Sequence, residues 1–296
     1  MSLVEHIQIK IHPDMGSLQD ERDVAKAAQV VAQGGIIGCY NGGVCALWGD
    51  GRNPNFTSKM LSIKGADRQP LFGLTLPASK FIDLIDIENI PTKYQSLFGV
   101  PENLALLGSF AFVRAPAKKE MLEALEVPGC FISKDEITDK LIVQNWSPEG
   151  SPPAEGFIHA LGYHGVDLPG ITSMNKTKTP EIVSKRKGKK FAREEENINY
   201  FLTDEMSHGG IKGSYTILGV GIGEDHESIS LVRDGSIPGV VLERMLGTDI
   251  VTNSATIPPK FSQRHFSDRA TEGSSAWERR ASLLKYVRDA HLKRIL

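Results

Sequence analysis

Between residues 20 and 251, stretches with apolar residues at helical spacing alternate with apolar runs too short for a helix, and glycines or prolines divide them. Val24, Ala27, Ala28 and Val31 put a helix over 20–33, stopped by Gly34-Gly35. The next run, Ile36–Tyr40, is an expected buried strand; Asn41-Gly42-Gly43 breaks it before a second run at Val44–Trp48. Phe56–Lys64 returns to helical spacing, Leu71–Leu76 is an expected strand, 78–97 is mostly helical with a break at Pro91, and Leu104–Arg114 is expected as one strand. Further strands are expected at Leu141–Val143 and Gly170–Ser173, with helices at Glu155–Tyr163 and Ala192–Leu202, the latter with Glu194–Glu196 in its first turns. Tyr215–Val220 and Ile229–Val232 are expected to pair, followed by a short helix at Val240–Leu246 and a closing strand at Asp249–Val251. Such alternation implies an α/β fold: an open, twisted, mixed β-sheet with flanking helices.

The 296 residues allow one large domain, expected over 21–251. Residues 1–20 are expected to be an N-terminal leader with an edge strand at Ile7–Ile11. Residues 252–296 are expected to be a linker ending in an amphipathic helix over Ala276–Ile295. A formal net charge of -2 supplies no global field for nucleic acid or membrane, so a nucleic-acid site would have to be a local patch. Cys39, Cys45 and Cys130 are too few and too scattered for a disulfide framework or a structural zinc site. No metal site is expected from the histidine spacing. The opening residues lack a signal-peptide core and no apolar run reaches membrane-spanning length, so a cytoplasmic protein without a membrane partner is expected.

Five fragments carry a family resemblance. Gly34-Gly35-Ile36-Ile37 precedes a strand, a turn and Ala46-Leu47-Trp48-Gly49-Asp50, and Lys64 falls within Met60–Leu71. Leu168–Asn175 ends in Ser173-x-Asn175, Gly209–Leu218 carries Gly213, Ser214 and Thr216, and Leu231–Ile237 carries Arg233. In order and spacing these resemble the YrdC-like family, in which a Lys-x-Arg helix end, a Pro-rich strand ending in Ser-x-Asn, a Gly-Gly…Ser-Thr segment and an Arg-x-Gly-Ala-Ile segment follow one another. The resemblance implies a YrdC-like fold and an activity like that of threonylcarbamoyl-adenylate synthase. Such an enzyme transfers an adenylyl group from ATP to a carbamoyl or carboxyl group and releases pyrophosphate. ATP and Mg2+ are implied, with a small carboxylate or amine as second substrate. Carried over to this sequence, Lys64 and Arg68 take catalytic positions, and Ser173, Asn175, Gly213, Ser214, Thr216 and Arg233 take nucleotide-binding ones. Adenylyl transfer asks for cations beside a triphosphate because charge builds on the α-phosphate and the leaving group. Each residue also has a plainer reading: Lys64 as a solvated helix-end lysine, Ser173 and Asn175 as turn formers, Arg233 as a hairpin-edge partner of Asp234.

The sequence departs from that pattern at the second substrate. The family's Thr-acid-Thr turn is Tyr40-Asn41-Gly42-Gly43 here, so Tyr40, Asn41 and Gly42 are the expected substrate pocket, without the hydroxyls that would hold threonine. The arginine of Lys-x-Arg is Ala66, with Arg68 two residues on, and a later Val-Arg-x-Pro segment is Val143-Gln144-Asn145-Trp146. An altered second substrate is therefore expected. Lys185, Arg186, Lys187, Lys189 and Lys190 form a basic run that could contact tRNA or double-stranded RNA, or be a solvated loop. The missing arginines and hydroxyls motivate the alternative of a non-catalytic RNA- or partner-binding protein, for which this run would be the RNA contact. Gly219-Val220-Gly221-Ile222-Gly223 has the wrong spacing for a dinucleotide loop and is expected to be a hairpin turn.

Overall fold

The structure, a computed structural model, describes residues 13–41, 43–65, 71–108, 110–205 and 213–252. Arg68, Gly42, the expected strand at 7–11 and the expected terminal helix lie outside the described residues.

The first helix shows how local sequence sets the elements. In α1 (Glu21–Ala32), the Asp20 side chain caps the start by accepting from the Arg22 N–H at 2.9 Å, and Val24, Ala27, Ala28 and Val31 are buried. The hairpin β2 (Ile36–Asn41) and β3 (Val44–Asp50) follows, with Asn41 opposite Val44 across the turn. In α2 (Phe56–Lys64), Phe56, Met60 and Ile63 are buried, and Gly65 at φ +55° ends the helix one residue after Lys64. That left-handed stop fixes where the lysine leaves the helix.

The remaining elements are β1 (Asp14–Ser17), β4 (Gly73–Leu74), α3 (Ala78–Leu84), α4 (Thr92–Phe98), α5 (Pro101–Gly108), β5 (Ala111–Pro116) and α6 (Lys119–Ala124). They continue with β6 (Ser133–Lys134), β7 (Leu141–Asn145), α7 (Pro152–Tyr163), β8 (Pro169–Ser173), α8 (Lys185–Glu194) and β9 (Ile198–Thr203). The chain closes on β10 (Thr216–Val220), β11 (Ile229–Arg233), α9 (Gly239–Leu246) and β12 (Ile250–Val251). All strands join one mixed sheet in the order β1-β9-β2-β3-β8-β4-β7-β5-β10-β11-β12, with β6 paired to β7. The expected open mixed sheet with flanking helices is what forms, and Gly219–Gly223 enters the turn of the antiparallel β10–β11 hairpin.

Two of the expected elements were wrong. Leu104–Arg114 is not one strand but the end of α5 followed by β5. Pro101 and Glu102 start the helix, and apolar runs on both sides of Gly108-Ser109 read as one stretch and hide the switch of period. Ala192–Leu202 is not a helix: α8 ends at Glu194, and β9 is a sheet strand between β1 and β2. Tyr200 and Leu202 pack in one core and Phe201 in the other, as a strand covered on both faces requires, and the glutamates close a helix instead of opening one.

The sheet carries a core on each face. Alternation sends Ile37, Cys39, Trp48, Tyr200 and Leu202 against α1 and α7. Their neighbours Ile36, Tyr40, Cys45, Leu47 and Phe201 join the cluster that takes in α2 to α6, α8 and α9.

Candidate functional site

The alternation that builds the α1/α7 face also aims five pairs of side chains at one hollow. Ala46 and Trp48 on β3, Ile171 and Ser173 on β8, Gln144 and Trp146 at the end of β7, Phe112 and Arg114 on β5, and Tyr215 and Ile217 at β10 each stand two residues apart, so each pair shares a face. They line a cavity of about 500 Å³ together with Asn41, Lys64, Ser214 and Arg233. Glycine makes room at its centre, since a Cβ on Gly73 would lie 2.6 Å from the Phe112 ring.

Lys64 reaches this cavity from the end of α2. Its Nζ donates to the Ser173 carbonyl at 2.8 Å, to Ser173 Oγ at 3.2 Å and to Asn175 Oδ1 at 3.3 Å, and the residue is buried. Asn175 lies behind the lysine and is not among the lining residues. Its Nδ2 donates to the Lys176 carbonyl at 3.0 Å and the Thr179 carbonyl at 2.7 Å, so it holds the post-β8 loop and orients Lys64.

Two guanidiniums complete the positive side. Arg233 Nη2 donates to the Tyr215 carbonyl at 2.7 Å, while its Nε is buried with no acceptor. Arg114 donates through Nε at 3.2 Å and Nη2 at 2.8 Å to Gln144 Oε1, its cross-strand partner. Neither arginine makes a salt bridge among the described residues. Burial, and then the charge of Arg233, push Arg114 down to about 10. Burial also lowers Arg233, opposed by Glu181, which accepts a hydrogen bond from Ser214 Oγ at 2.9 Å. Gln144, where the resemblance asks for an arginine, thus receives one from the adjacent strand.

Aromatic rings line the same cavity. Trp48 and Trp146 meet edge to face at 6.1 Å, Trp146 lies 5.5 Å from Tyr215, and Tyr215 lies 6.4 Å from Phe112. Trp48 and Trp146 are 1% and 2% exposed, and both Nε1 donors are buried without an acceptor. With Arg233 Nε, three N–H donors without an acceptor belong to residues that line one cavity, each donor atom itself closed off from solvent. Buried polar groups are nearly always satisfied, so a ligand rich in acceptors suits these residues once a ring or guanidinium turns towards it. Cys45 also lines it, but burial raises its thiol to about 12, which makes it inert as a nucleophile near neutrality.

Of the residues singled out in the sequence, Asn41, Lys64, Ser173, Ser214 and Arg233 are brought together in this lining. Asn41 Oδ1 accepts from Ser151 Oγ at 3.3 Å. Tyr40 points to the other face, into the larger core and 5.8 Å beneath Lys185 Nζ. Gly213 meets the hairpin turn through a 3.4 Å bond from its N–H to the Gly43 carbonyl. Thr216 is fully buried and donates to the Ile237 carbonyl, away from the lining. Lys185, Arg186, Lys187, Lys189 and Lys190 lie on α8, where Arg186, Lys187 and Lys190 are exposed. Sequence reasoning missed Arg114, Gln144, Trp48, Trp146, Phe112 and Tyr215 as site residues. The signal was present as i, i+2 pairs, but only the strand order shows that separate pairs share a face.

No protein-family model matches the chain, and no curated protein matches it. Solved structures do. Sua5 from P. abyssi, solved in complex with L-threonine, superposes with a TM-score of 0.57 at 15% identity over 81% of this chain and 63% of that one. E. coli YciO gives a TM-score of 0.53 at 16% identity over 77% and 96% of the two chains. A hypothetical protein from Streptococcus mutans UA159 gives 0.57 at 8% identity, over 85% and 100%. The chain spans less than two thirds of the Sua5 structures it matches. At these identities what is shared is the fold, and the YrdC-like architecture expected from the five sequence fragments is the one found. Among the described residues, no helix is long and apolar enough to cross a membrane.

Proposed function

We propose that this chain binds ATP in the cavity and transfers its adenylyl group to a carboxyl or carbamoyl group, releasing pyrophosphate. The observation that carries the reading is convergence: Lys64, Ser173, Arg114 and Arg233, remote from one another in sequence, line one hollow. In this scheme an oxygen of the second substrate attacks the α-phosphorus. The bond from that phosphorus to the α–β bridging oxygen breaks, and pyrophosphate leaves with the electron pair. Lys64, held by Ser173 and Asn175, supplies a fixed point charge. Arg114 and Arg233 offer forked donors that suit phosphate oxygens. These groups are already partly stripped of water, so they require little reorganisation as charge builds on the leaving group.

The described lining contains no carboxylate. Those residues therefore do not form a magnesium site by themselves, and a magnesium ion would depend on phosphate oxygens and water for its ligands. The alternative of a non-catalytic RNA-binding protein rests on α8, whose exposed face carries Arg186, Lys187 and Lys190. The proposal is tested by calorimetry with ATP and by ATP–pyrophosphate exchange across a panel of acids. ATP binding that is lost in both Lys64→Ala and Arg233→Gln supports it. No ATP binding and no exchange with any acid would overturn it.

A further inference from the structure

Resting on that reading, we infer that the second substrate is an aryl or arylalkyl carboxylate, a planar apolar acid without an ammonium group, seated against Trp48, Trp146, Phe112 and Tyr215. Three features of the cavity point there. Beside the cations its lining holds a chain of four aromatic rings, Trp48, Trp146, Tyr215 and Phe112, each in contact with the next, continued by Ile171 and Ile217. Such a surface gains from a buried ring through area and edge-to-face geometry, and gives little to a small polar side chain. Next, Lys64, Arg114 and Arg233 are positive and no carboxylate stands among the described lining residues. A carboxylate entering there is attracted, whereas the ammonium of an amino acid meets three like charges in the lining, with the Glu181 carboxylate near Arg233 outside it. Finally, two indole donors on the aromatic wall, Trp48 Nε1 and Trp146 Nε1, have no acceptor in the protein. A carboxylate, or an acceptor substituent on an aryl ring, asks only for donors.

The reaction would join the carboxylate oxygen of this acid to the α-phosphorus of ATP, yielding an aryl-acyl adenylate and pyrophosphate. Phe112 is the handle on specificity, because it is half-buried and its ring spans Gly73. Removing that ring takes apolar surface from the acid and leaves the cations in place.

The full chain should be assayed for ATP–pyrophosphate exchange with benzoate, phenylacetate, indole-3-acetate, acetate and L-threonine, with ATP affinity measured separately by calorimetry. Aryl acids should support exchange, and acetate and L-threonine should not. Phe112→Ala should raise the KM for the best aryl acid about tenfold, with ATP affinity within about twofold. The conservative Trp146→Phe keeps the ring but deletes the indole donor. It should weaken acids bearing a ring acceptor more than plain phenylacetate. ATP binding with exchange driven best by L-threonine or acetate, or with no response to any aryl acid, overturns this inference and leaves ATP binding standing. A loss of ATP affinity in Phe112→Ala as large as the loss for the acid would assign the wall to adenine and overturn it too. Absence of ATP binding would overturn both this inference and the reading beneath it.

Discussion

Two regions of this molecule gather positive charge, and they are built in opposite ways. On α8 the charge is dense in sequence and open in space. Lys185 pairs with Glu205 at 2.7 Å, Lys190 faces Glu194 at 3.7 Å, and Arg186, Lys187 and Lys190 are exposed. In the cavity the charge is sparse in sequence and concentrated by folding. Lys64, Arg114 and Arg233 come from one helix end and two strands, and neither arginine has a carboxylate partner among the described residues. Exposed ion pairs are worth about 0–1 kcal/mol, since water and salt already satisfy the charge. A cation desolvated in a half-buried cleft is costly to the apo protein, and an arriving anion offsets that cost. The contrast teaches that the number of charges in a run says little about a binding site. What matters is how much water and counter-charge folding removes from each.

The largest expected effect tests that contrast directly. Arg233→Gln removes a forked donor whose Nε has no acceptor in the protein. ATP affinity should fall about 10- to 100-fold, corresponding to about 1.5–3 kcal/mol for a charge-assisted bond. Without ATP the same variant should melt close to the parent, because the desolvated charge it sheds is offset only in part by Glu181 and the bond to the Tyr215 carbonyl. A variant that loses stability and keeps ATP affinity would show Arg233 to be a structural residue and break the comparison. Asn175→Ala should behave the other way. Its side chain anchors Lys64 and the Lys176–Thr179 turn, so stability should drop by about 1–3 kcal/mol, with a smaller loss of ATP affinity. Chemical denaturation beside calorimetry separates the two patterns.

A pH titration sharpens the same contrast. Arg114 is depressed to about 10 from an ordinary 12.5 by burial and by Arg233. An anion favours the protonated guanidinium, so affinity is fully present below about pH 10. It should fall as pH rises through that value, by up to about tenfold per unit for the single proton involved. For the apo fold the sign reverses, because a lowered cation binds its proton less tightly in the native state. This group therefore adds stability as pH rises from about 10 towards 12.5. In Arg114→Gln, the part of the affinity slope due to this group should vanish.

Much of the fold is legible from period and punctuation. Phe56–Lys64, the β2–β3 hairpin and the β10–β11 pair emerge where apolar spacing and glycine stops agree. The failures share a cause. At 104–114 and 192–202, a helix and a strand abut with no glycine or proline pair between them, so one period is carried into the other's territory. The site divides in the same way. Lys64, Ser173 and Arg233 stand out as local motifs, whereas Arg114, Trp48 and Trp146 carry no motif. They become site residues only because β8, β4 and β7 intervene between β3 and β5, an order set by long-range pairing. A cross-strand match such as Arg114 with Gln144 has no signature in the sequence of either strand alone.

The smallest effect is expected where the sequence is most charged. Replacing Arg186, Lys187 and Lys190 together with Gln removes three exposed cations from one face of α8. It leaves the packing of Gly188 and Ala192 against the sheet intact. At physiological ionic strength the Debye length is about 8 Å, so such charges are screened from anything not in direct contact. ATP affinity should change by less than about twofold, and stability by less than about 0.5 kcal/mol. Binding of tRNA or double-stranded RNA, measured against salt concentration, decides whether that face has a use of its own. Each phosphate no longer neutralised by a side chain would reduce the slope of log K against log salt by close to one. A steep slope in the parent that flattens by about three in the triple variant would make α8 a binding surface. Its charges would then be engaged with phosphate as those of the cavity are proposed to be, and the distinction drawn between the two regions would fail at its exposed end.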